Sequence, residues 1–274
     1  MSFIEALTTR ASRYNFWAGR SPSASAKILW RMGPEGDLRC AAANDVEKQN
    51  EMRTADVKVD DKTLAAWEII SVISSVLIVA WTIVPLAGES RLVGAVPIAL
   101  AFALMIQSHR ARGESFRDLG FRADNFFRAI RLLILPMAIG ALLLLFAGRI
   151  AQALGFGASE RIRSAWWILL GGFAWGLLQQ YALQGFIHRR LYIIYGRGAR
   201  TTFLVALIFA GLHAPNFALM AATFASGLVW AYVYERAPNL WALGLSHSTM
   251  SWIVIATLPD SIITGLRVGY KYFM

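Results

Sequence analysis

Long apolar segments alternate with short charged segments over most of this chain, whereas the first 66 residues lack any long apolar run. A helix that crosses a bilayer needs about 20 mostly apolar residues. We therefore predict seven membrane-spanning helices, at 67–86, 92–107, 129–148, 166–187, 201–213, 217–234 and 240–258. The tail, 259–274, is ambiguous and could add an eighth, short helix. The predicted fold class is an all-α, polytopic membrane helix bundle of about seven to eight transmembrane helices.

The chain divides into two parts of different composition. Residues 1–66 contain nine of the 17 acidic residues and ten of the 27 basic residues, without the apolar core of a signal peptide. We expect a polar, solvated and partly disordered cytoplasmic extension there. We expect residues 67–274 to form the integral membrane bundle.

Composition excludes several classes of protein. Of the 274 residues, 57% are hydrophobic and 16% are charged, against roughly 45–50% and ~25% in soluble domains. A water-soluble enzyme or a disordered chain does not have this composition. The single cysteine, Cys40, excludes a disulfide scaffold and any metal site built from cysteines.

The net charge of +10 is sorted along the chain. Arginine is concentrated in the loops predicted at 109–131 and 188–200, and cytoplasmic loops carry an excess of Lys and Arg. The rule places these segments in the cytoplasm: 1–66, 109–131, 188–200 and 235–239. We therefore predict a multi-pass protein with a cytoplasmic N-terminus and interpret Arg189–Arg190 as a topology signal. The bilayer, rather than a nucleic acid, is the partner that this charge indicates.

Polar side chains are concentrated in the second half of the predicted bundle. The fourth span contains Gln179, Gln180 and Gln184, the fifth ends in His213, and the seventh contains His247. Polar groups inside a bilayer face a bundle interior or a wet cavity. Their depths overlap, since a helix rises 1.5 Å per residue. The sequence therefore predicts one polar site below the cytoplasmic surface.

One face of the fourth span has a regular composition. Residues spaced by four share a helix face, and here they are Gly172, Gly176, Gln180, Gln184 and His188. The Gly-x-x-x-Gly pair predicts close approach of a neighbouring helix, and the amides predict a polar continuation of that contact.

Three short motifs occur in order within this region. They read Gln179-Gln180-Tyr181-Ala182-Leu183-Gln184-Gly185, Phe209-Ala210-Gly211-Leu212-His213 and Ser246-His247-Ser248-Thr249-Met250-Ser251. From about 166 to 255, the chain resembles the CAAX-protease and bacteriocin-processing (CPBP, or Abi) family of intramembrane proteases. The corresponding family motifs are Glu-Glu-x-x-x-Arg-Gly, Phe-x-x-x-His and His-x-x-x-Asn.

The resemblance implies a hydrolytic site. In the family, a buried Glu is thought to activate water for attack on a peptide carbonyl, while His and Asn groups stabilise the oxyanion. By position, the catalytic candidates here are His213, His247, Gln179 and Gln180, and the binding candidates are Gln184, Phe209 and Ser251. We expect no cofactor and no metal, because two histidines without a carboxylate or thiol are a poor zinc set.

The chain departs from the family pattern at the residues that carry charge. Gln179 and Gln180 replace the Glu pair, and a neutral amide cannot accept a proton at physiological pH. Gln184 also replaces the Arg, and Ser251 the Asn. Other acidic residues lie at predicted span ends or in loops: Glu68, Glu89, Glu160, Glu235 and Asp260.

Three functional hypotheses follow. The first is an endopeptidase acting on a membrane-presented peptide or protein C-terminal region from the cytoplasmic side. The second is a catalytically inactive relative that binds a peptide, a lipid or a partner subunit. The third, a small transporter, has less support because the site has no acidic residue for ion coupling.

Overall fold

The described part of the protein is a bundle of helices. The computed structural model describes residues 60–87, 91–157 and 165–274, and within these ranges the regular secondary structure is helical, with no strand. The prediction of an all-α membrane helix bundle is confirmed. The extension predicted for 1–66 lies, up to residue 59, outside the described residues.

Each predicted span coincides with a helix in the structure. In chain order the helices are α1 (Asp61–Ile78), α2 (Arg91–Ala111), α3 (Phe116–Leu119), α4 (Phe126–Ala153), α5 (Ala165–Gln180), α6 (Arg189–Tyr195), α7 (Ala199–Gly211), α8 (Phe217–Arg236), α9 (Leu240–Thr257) and α10 (Asp260–Ile263). A π-helical turn, Val79–Ile83, extends α1 towards a last turn at Val84–Ala87, and a longer π-helical segment, Tyr181–His188, joins α5 to α6. The tail contains α10 and two 3-10 turns, Thr264–Leu266 and Gly269–Phe273.

Four of the described helices are long and apolar enough to cross a membrane. They are Asp61–Leu86, Leu92–Ala111, Phe126–Ala153 and Phe217–Arg236. On α4, Leu142 and Phe146 are each 66% exposed, which suits a surface that contacts lipid chains. Helix α7 is apolar but shorter, with 13 residues. The predicted total of seven to eight transmembrane helices therefore stays a prediction.

Helices α5 and α9 cross at glycine residues. A Cβ added at Gly176 would lie 3.2 Å from the carbonyl oxygen of Gly244, and one added at Gly244 would lie 3.0 Å from the Cα of Leu177. One added at Gly172 would lie 3.2 Å from the hydroxyl oxygen of Ser248. The close approach predicted for the Gly-x-x-x-Gly pair is thus confirmed, and α9 is the helix that makes it.

One continuous helix, made of α5, the π-helical segment and α6, organises the rest of the bundle. It packs against α9 along α5, against α7 along the π-helical segment, and against α1 along α6. Leu183 and Phe186 of this helix are completely or almost completely buried, at 2% and 0% exposure. The helix therefore carries its polar side chains through the interior, as the sequence pattern indicates.

Candidate functional site

The interior of the bundle contains a direct contact between two predicted catalytic residues. Gln180, the last residue of α5, lies with its amide nitrogen 3.1 Å from Nδ1 of His247 on α9. Gln180 is fully buried and His247 is 6% exposed. The glycine crossing makes this possible, because the Cβ of His247 lies only 3.3 Å from where a Cβ of Gly176 would be.

Aromatic rings fix the orientation of His247. The indole of Trp230 on α8 is stacked on the imidazole, with ring centroids 4.7 Å apart and planes at 11°. The indole nitrogen of Trp230 in turn donates to the hydroxyl oxygen of Ser246 at 2.9 Å. Phe209 on α7 meets the imidazole with its edge, at a centroid distance of 5.8 Å.

His213 lies against the same phenyl ring, one turn beyond Phe209. Its centroid is 4.7 Å from that of Phe209, and its Nδ1 donates to the backbone carbonyl of Phe209 at 2.7 Å. A carbonyl oxygen can only accept a hydrogen bond, so Nδ1 carries the ring proton and Nε2 of the neutral imidazole is left as an acceptor. We call this group the histidine site: Gln180, Phe209, His213, Trp230 and His247.

The two histidines have opposite hydrogen-bonding states. As placed, the Gln180 amide N–H donates to Nδ1 of His247, which leaves the ring proton of His247 on Nε2. His213 therefore offers an acceptor at Nε2, whereas His247 offers a donor there. The oxygen of the Gln180 amide is buried and has no hydrogen-bond partner among the described residues.

The other predicted site residues do not join this group through a hydrogen bond. Gln184 lies one turn further along, fully buried, and its amide oxygen accepts from Nδ1 of His188 at 2.7 Å. The Nε2 atom of His188 lies 3.6 Å from a carboxylate oxygen of Glu235. Gln179 and Ser251 are half-buried, and none of the hydrogen bonds within the described part connects them to either histidine.

The histidine site does not have the composition of a metal centre. Within 60–87, 91–157 and 165–274, no group of three or more His, Cys, Asp or Glu residues could hold a metal ion. Two imidazoles with amide and aromatic neighbours are a poor ligand set for zinc. The chemistry available at the site is thus proton transfer and hydrogen bonding by neutral groups.

A second buried polar group lies further along the same helix, and the sequence interpretation missed it. Arg190 on α6 is fully buried; its Nε lies 2.8 Å from a carboxylate oxygen of Glu68 and its Nη1 lies 2.9 Å from one of Glu114. Ser108 donates to Glu68 at 2.6 Å and accepts from Arg190 at 2.8 Å. We call this group the ion-pair cluster: Glu68, Ser108, Glu114 and Arg190.

The interpretation of Arg189–Arg190 as a topology signal alone is therefore wrong. Arg189 also binds Glu114, through two nitrogens at 2.8 and 2.6 Å, and His109 lies 2.6 Å from the other oxygen. These contacts tie α6 to α1 and to the end of α2. The sequence did contain a signal for these ion pairs. Glu68 and Glu114 are opposite in charge to the arginines and are predicted at the same end of the bundle.

The electrostatics of the ion-pair cluster favour a charged carboxylate at Glu114. Burial alone would raise the pKa of Glu114, but the hydrogen bond with His109 and the positive charges of Arg190 and Arg189 outweigh it. They lower the pKa of Glu114 from 4.5 to about 2. The carboxylate is thus engaged in its anchoring contacts and is a poor proton acceptor.

Fold and site together define a helical membrane protein with a neutral, histidine-containing polar site in its interior. Residues 161–253 match a family model described as Rce1-like: Type II CAAX prenyl endopeptidase Rce1-like. The match spans about a third of the chain, includes all of the histidine site, and confirms the resemblance to the CPBP family of intramembrane proteases. With its four long apolar helices, the protein is an integral membrane protein. A search of curated proteins found no match, and neither did a search of solved structures.

Proposed function

We propose that this protein is an intramembrane endopeptidase that cuts a membrane-presented peptide or protein C-terminal region from the cytoplasmic side. One observation carries the proposal. The hydrogen bonds at the histidine site leave Nε2 of His213 as an acceptor and Nε2 of His247 as a donor, and both imidazoles pack against the ring of Phe209. Peptide hydrolysis needs one group of each kind.

The two imidazoles take complementary roles in the reaction. Nε2 of His213 accepts a proton from a water molecule as its oxygen attacks the peptide carbonyl carbon. The N–H of His247 donates to the oxyanion that forms. When the tetrahedral intermediate collapses, the C–N bond breaks and His213 returns its proton to the leaving amine. Atoms and charge balance without any further reactant.

Gln180 acts as a positioning residue in this scheme. Its amide N–H holds Nδ1 of His247, so the imidazole presents Nε2–H to the substrate. A carboxylate at this position would instead accept the proton of Nδ1 and could itself activate water. The replacement of Glu by Gln therefore moves the role of general base from position 180 to His213.

The matching family supports the proposed substrate class, and the charge pattern supports the proposed cytoplasmic side of cleavage. The matching family is described as a prenyl endopeptidase, which favours a lipid-anchored C-terminal region as the substrate class. The excess of Arg in the segments 109–131 and 188–200 favours the cytoplasm for that end of the bundle. It also favours a cytoplasmic N-terminus.

Cleavage by the reconstituted full-length protein tests the proposal. A farnesylated peptide ending in a CAAX sequence is incubated with protein in liposomes, and products are identified by mass spectrometry. We expect His213→Ala to slow cleavage by about 10²–10⁴-fold, as for loss of a general base. His247→Ala should slow it by about 10²–10³-fold, as for loss of an oxyanion donor. Gln107→Ala, at an exposed position of α2, is the control. Unchanged cleavage in both histidine variants would overturn the proposal.

A second candidate function is binding without hydrolysis. It is favoured by the neutral Gln180, because no carboxylate among the described residues hydrogen-bonds to Gln180, His213 or His247. On this alternative, the protein keeps the fold of a protease and binds a peptide, a lipid or a partner subunit at the histidine site.

Restoring the carboxylate separates the two candidates. Gln180→Glu, alone and with Gln179→Glu, is assayed beside the unaltered protein, with Gln107→Glu as a matched control at an exposed site. Cleavage that appears only in the restored variants would favour the binding function. Cleavage by the unaltered protein that requires His213 would favour the endopeptidase.

A further inference from the structure

A cleft at the end of the bundle has no role in the proposed reaction. It has a volume of about 360 Å³ and lies between α3 with the loop after it, α6 with the loop after it, and the end of α8. Four arginines line it: Arg117, Arg122, Arg189 and Arg197. We call it the arginine cleft.

Positive charge predominates in the lining. Two carboxylates, Asp118 and Glu235, accompany the four guanidinium groups. Asp118 accepts from the backbone N–H and hydroxyl of Ser115, at 2.9 and 2.5 Å, and Glu235 accepts from the backbone N–H of Gly198 at 3.1 Å. Both acids therefore have partners from the loops around the cleft.

Three of the arginines also have carboxylate partners but retain free donors. Arg189 binds Glu114 and the backbone carbonyl oxygen of Asp118, and Arg117 and Arg122 both bind Asp124. Each guanidinium has five N–H groups, and these acceptors occupy only some of them. The remaining N–H groups can bind a further anion.

Arg197 is the least neutralised of the four. Its guanidinium lies over the ring of Tyr192, 5.2 Å from the centroid, and none of the ion pairs within the described ranges includes it. Stacking uses the face of a guanidinium and leaves its N–H groups free at the edges. Tyr192 also lines the cleft, and its hydroxyl is buried without a hydrogen-bond partner among the described residues. Arg197 and Tyr192 thus offer donors without an acceptor.

The same end of the molecule has the features of a membrane–water interface. Arg200 lies over the ring of Tyr195 at 4.1 Å, and Arg236 lies over that of Tyr232 at 3.6 Å. Tyr195 and Tyr232 are 44% and 47% exposed. Tyrosine is enriched at the level of lipid headgroups. Arg236 and Tyr195 are close in sequence to Glu235 and Arg197 of the cleft, so these pairs favour a position of the arginine cleft near lipid headgroups.

We propose that the arginine cleft binds the phosphate group of an anionic membrane lipid. Phosphate oxygens match the paired N–H groups of guanidinium, and basic pockets between the ends of transmembrane helices suit anionic headgroups. Arg197 donates to the phosphate, and Arg189 and Arg122 complete the site.

Native mass spectrometry of the full-length protein in detergent tests this proposal. Phosphatidylglycerol is titrated beside phosphatidylcholine, and the dissociation constant of the first bound lipid is measured. We expect Arg197→Gln to weaken phosphatidylglycerol binding about fivefold or more. Arg200→Gln is the matched control, because it also removes an arginine stacked on tyrosine but lies outside the cleft. Its binding should stay within about twofold of the unaltered protein.

Several results would overturn the proposal. Equal weakening in Arg197→Gln and Arg200→Gln would show attraction by diffuse surface charge. Equal affinity of the unaltered protein for the two lipids would show that the charge of the headgroup does not contribute to binding. Displacement of phosphatidylglycerol by millimolar inorganic phosphate would assign the cleft to the free ion, and displacement by a peptide with a free C-terminal carboxylate would assign it to a protein end. A melting curve for Arg197→Gln that matches the unaltered protein excludes misfolding as the cause of weaker binding.

Discussion

The histidine site and the ion-pair cluster both include residues of the same long helix, yet they differ in the charge of their side chains. The histidine site consists of neutral groups whose hydrogen bonds are spread over α5, α7, α8 and α9. The ion-pair cluster consists of full charges that connect α6 to α1 and to the end of α2. The histidine site contains no carboxylate, and the ion-pair cluster contains two, Glu68 and Glu114.

The difference assigns a structural role to the ion-pair cluster and a chemical role to the histidine site. A buried charge is tolerated only with close partners, and removing one partner is far more costly than removing a neutral hydrogen bond. The ion-pair cluster therefore specifies where the long helix sits. The histidine site can then keep donors and acceptors unoccupied for a substrate.

The largest expected effect is the loss of the central cation of the ion-pair cluster. Arg190→Met keeps most of the apolar side chain but leaves Glu68 and Glu114 without their shared partner. We expect the free energy of unfolding to fall by about 3–5 kcal/mol, measured by denaturant titration in mixed micelles. Arg110→Met, at an exposed position of α2, is the control. A loss as small as that of the control would show that the cluster does not anchor the helix.

Acid should weaken the same region. The folded protein lowers the pKa of Glu114 from 4.5 to about 2, so the carboxylate form favours folding. This contribution is present above about pH 4.5 and is lost as the pH falls towards about 2. Thermal unfolding measured across this range should show a steeper loss in the unaltered protein than in Glu114→Gln. Parallel profiles would contradict the assignment.

A smaller effect is expected where the two helices of the histidine site cross. Gly176→Ala places a Cβ 3.2 Å from the carbonyl oxygen of Gly244 and 3.3 Å from the Cβ of His247. Overpacking of this kind costs about 1–3 kcal/mol and should displace His247, so cleavage should slow as well. Gly171→Ala meets no atom within 4 Å and is the control. Equal behaviour of the two variants would argue against a tight crossing.

The smallest effect is expected from a neutral hydrogen bond behind His247. Trp230→Phe keeps an aromatic ring against the imidazole but removes the donor to Ser246. We expect a loss of about 1 kcal/mol in the same micelle titration, with Trp241→Phe, 40% exposed, as the control. A loss as large as that of Arg190→Met would contradict the inference that the charged group stabilises the fold more than the neutral group does.

The sequence pattern predicts the parts of this structure that depend on one helix at a time. Hydropathy locates a helix at each predicted span, because burial in lipid demands a long apolar run, and four of these helices are long enough to cross a membrane. The spacing of Gly172, Gly176 and Gln180 predicts one shared face, and these residues do meet α9. Gln184 shares the spacing but meets His188 instead, since the helix becomes π-helical beyond Gln180.

The parts that depend on several segments could not be predicted in the same way. Glu68 and Arg190 are 122 positions apart, and each alone is typical of a charged span end. Whether such charges are solvated or buried depends on which ends of which helices meet. The tautomers of the two histidines likewise depend on neighbours, a backbone carbonyl for His213 and an amide from another helix for His247.

The π-helical segment Tyr181–His188 determines how α6, which carries Arg190, is rotated about the helix axis relative to α5, which carries Gln180. An α-helix turns by about 100° per residue, whereas the wider π-helical turn accommodates an additional residue. The direction of Arg190 relative to Gln180 is therefore set by the length of this segment as much as by the side chains themselves. Deleting one residue from it would rotate α6 by about 100° against α5. The ion-pair cluster and the histidine site could then no longer both form. The length of the segment therefore sets the relative directions in which the side chains of the two groups point.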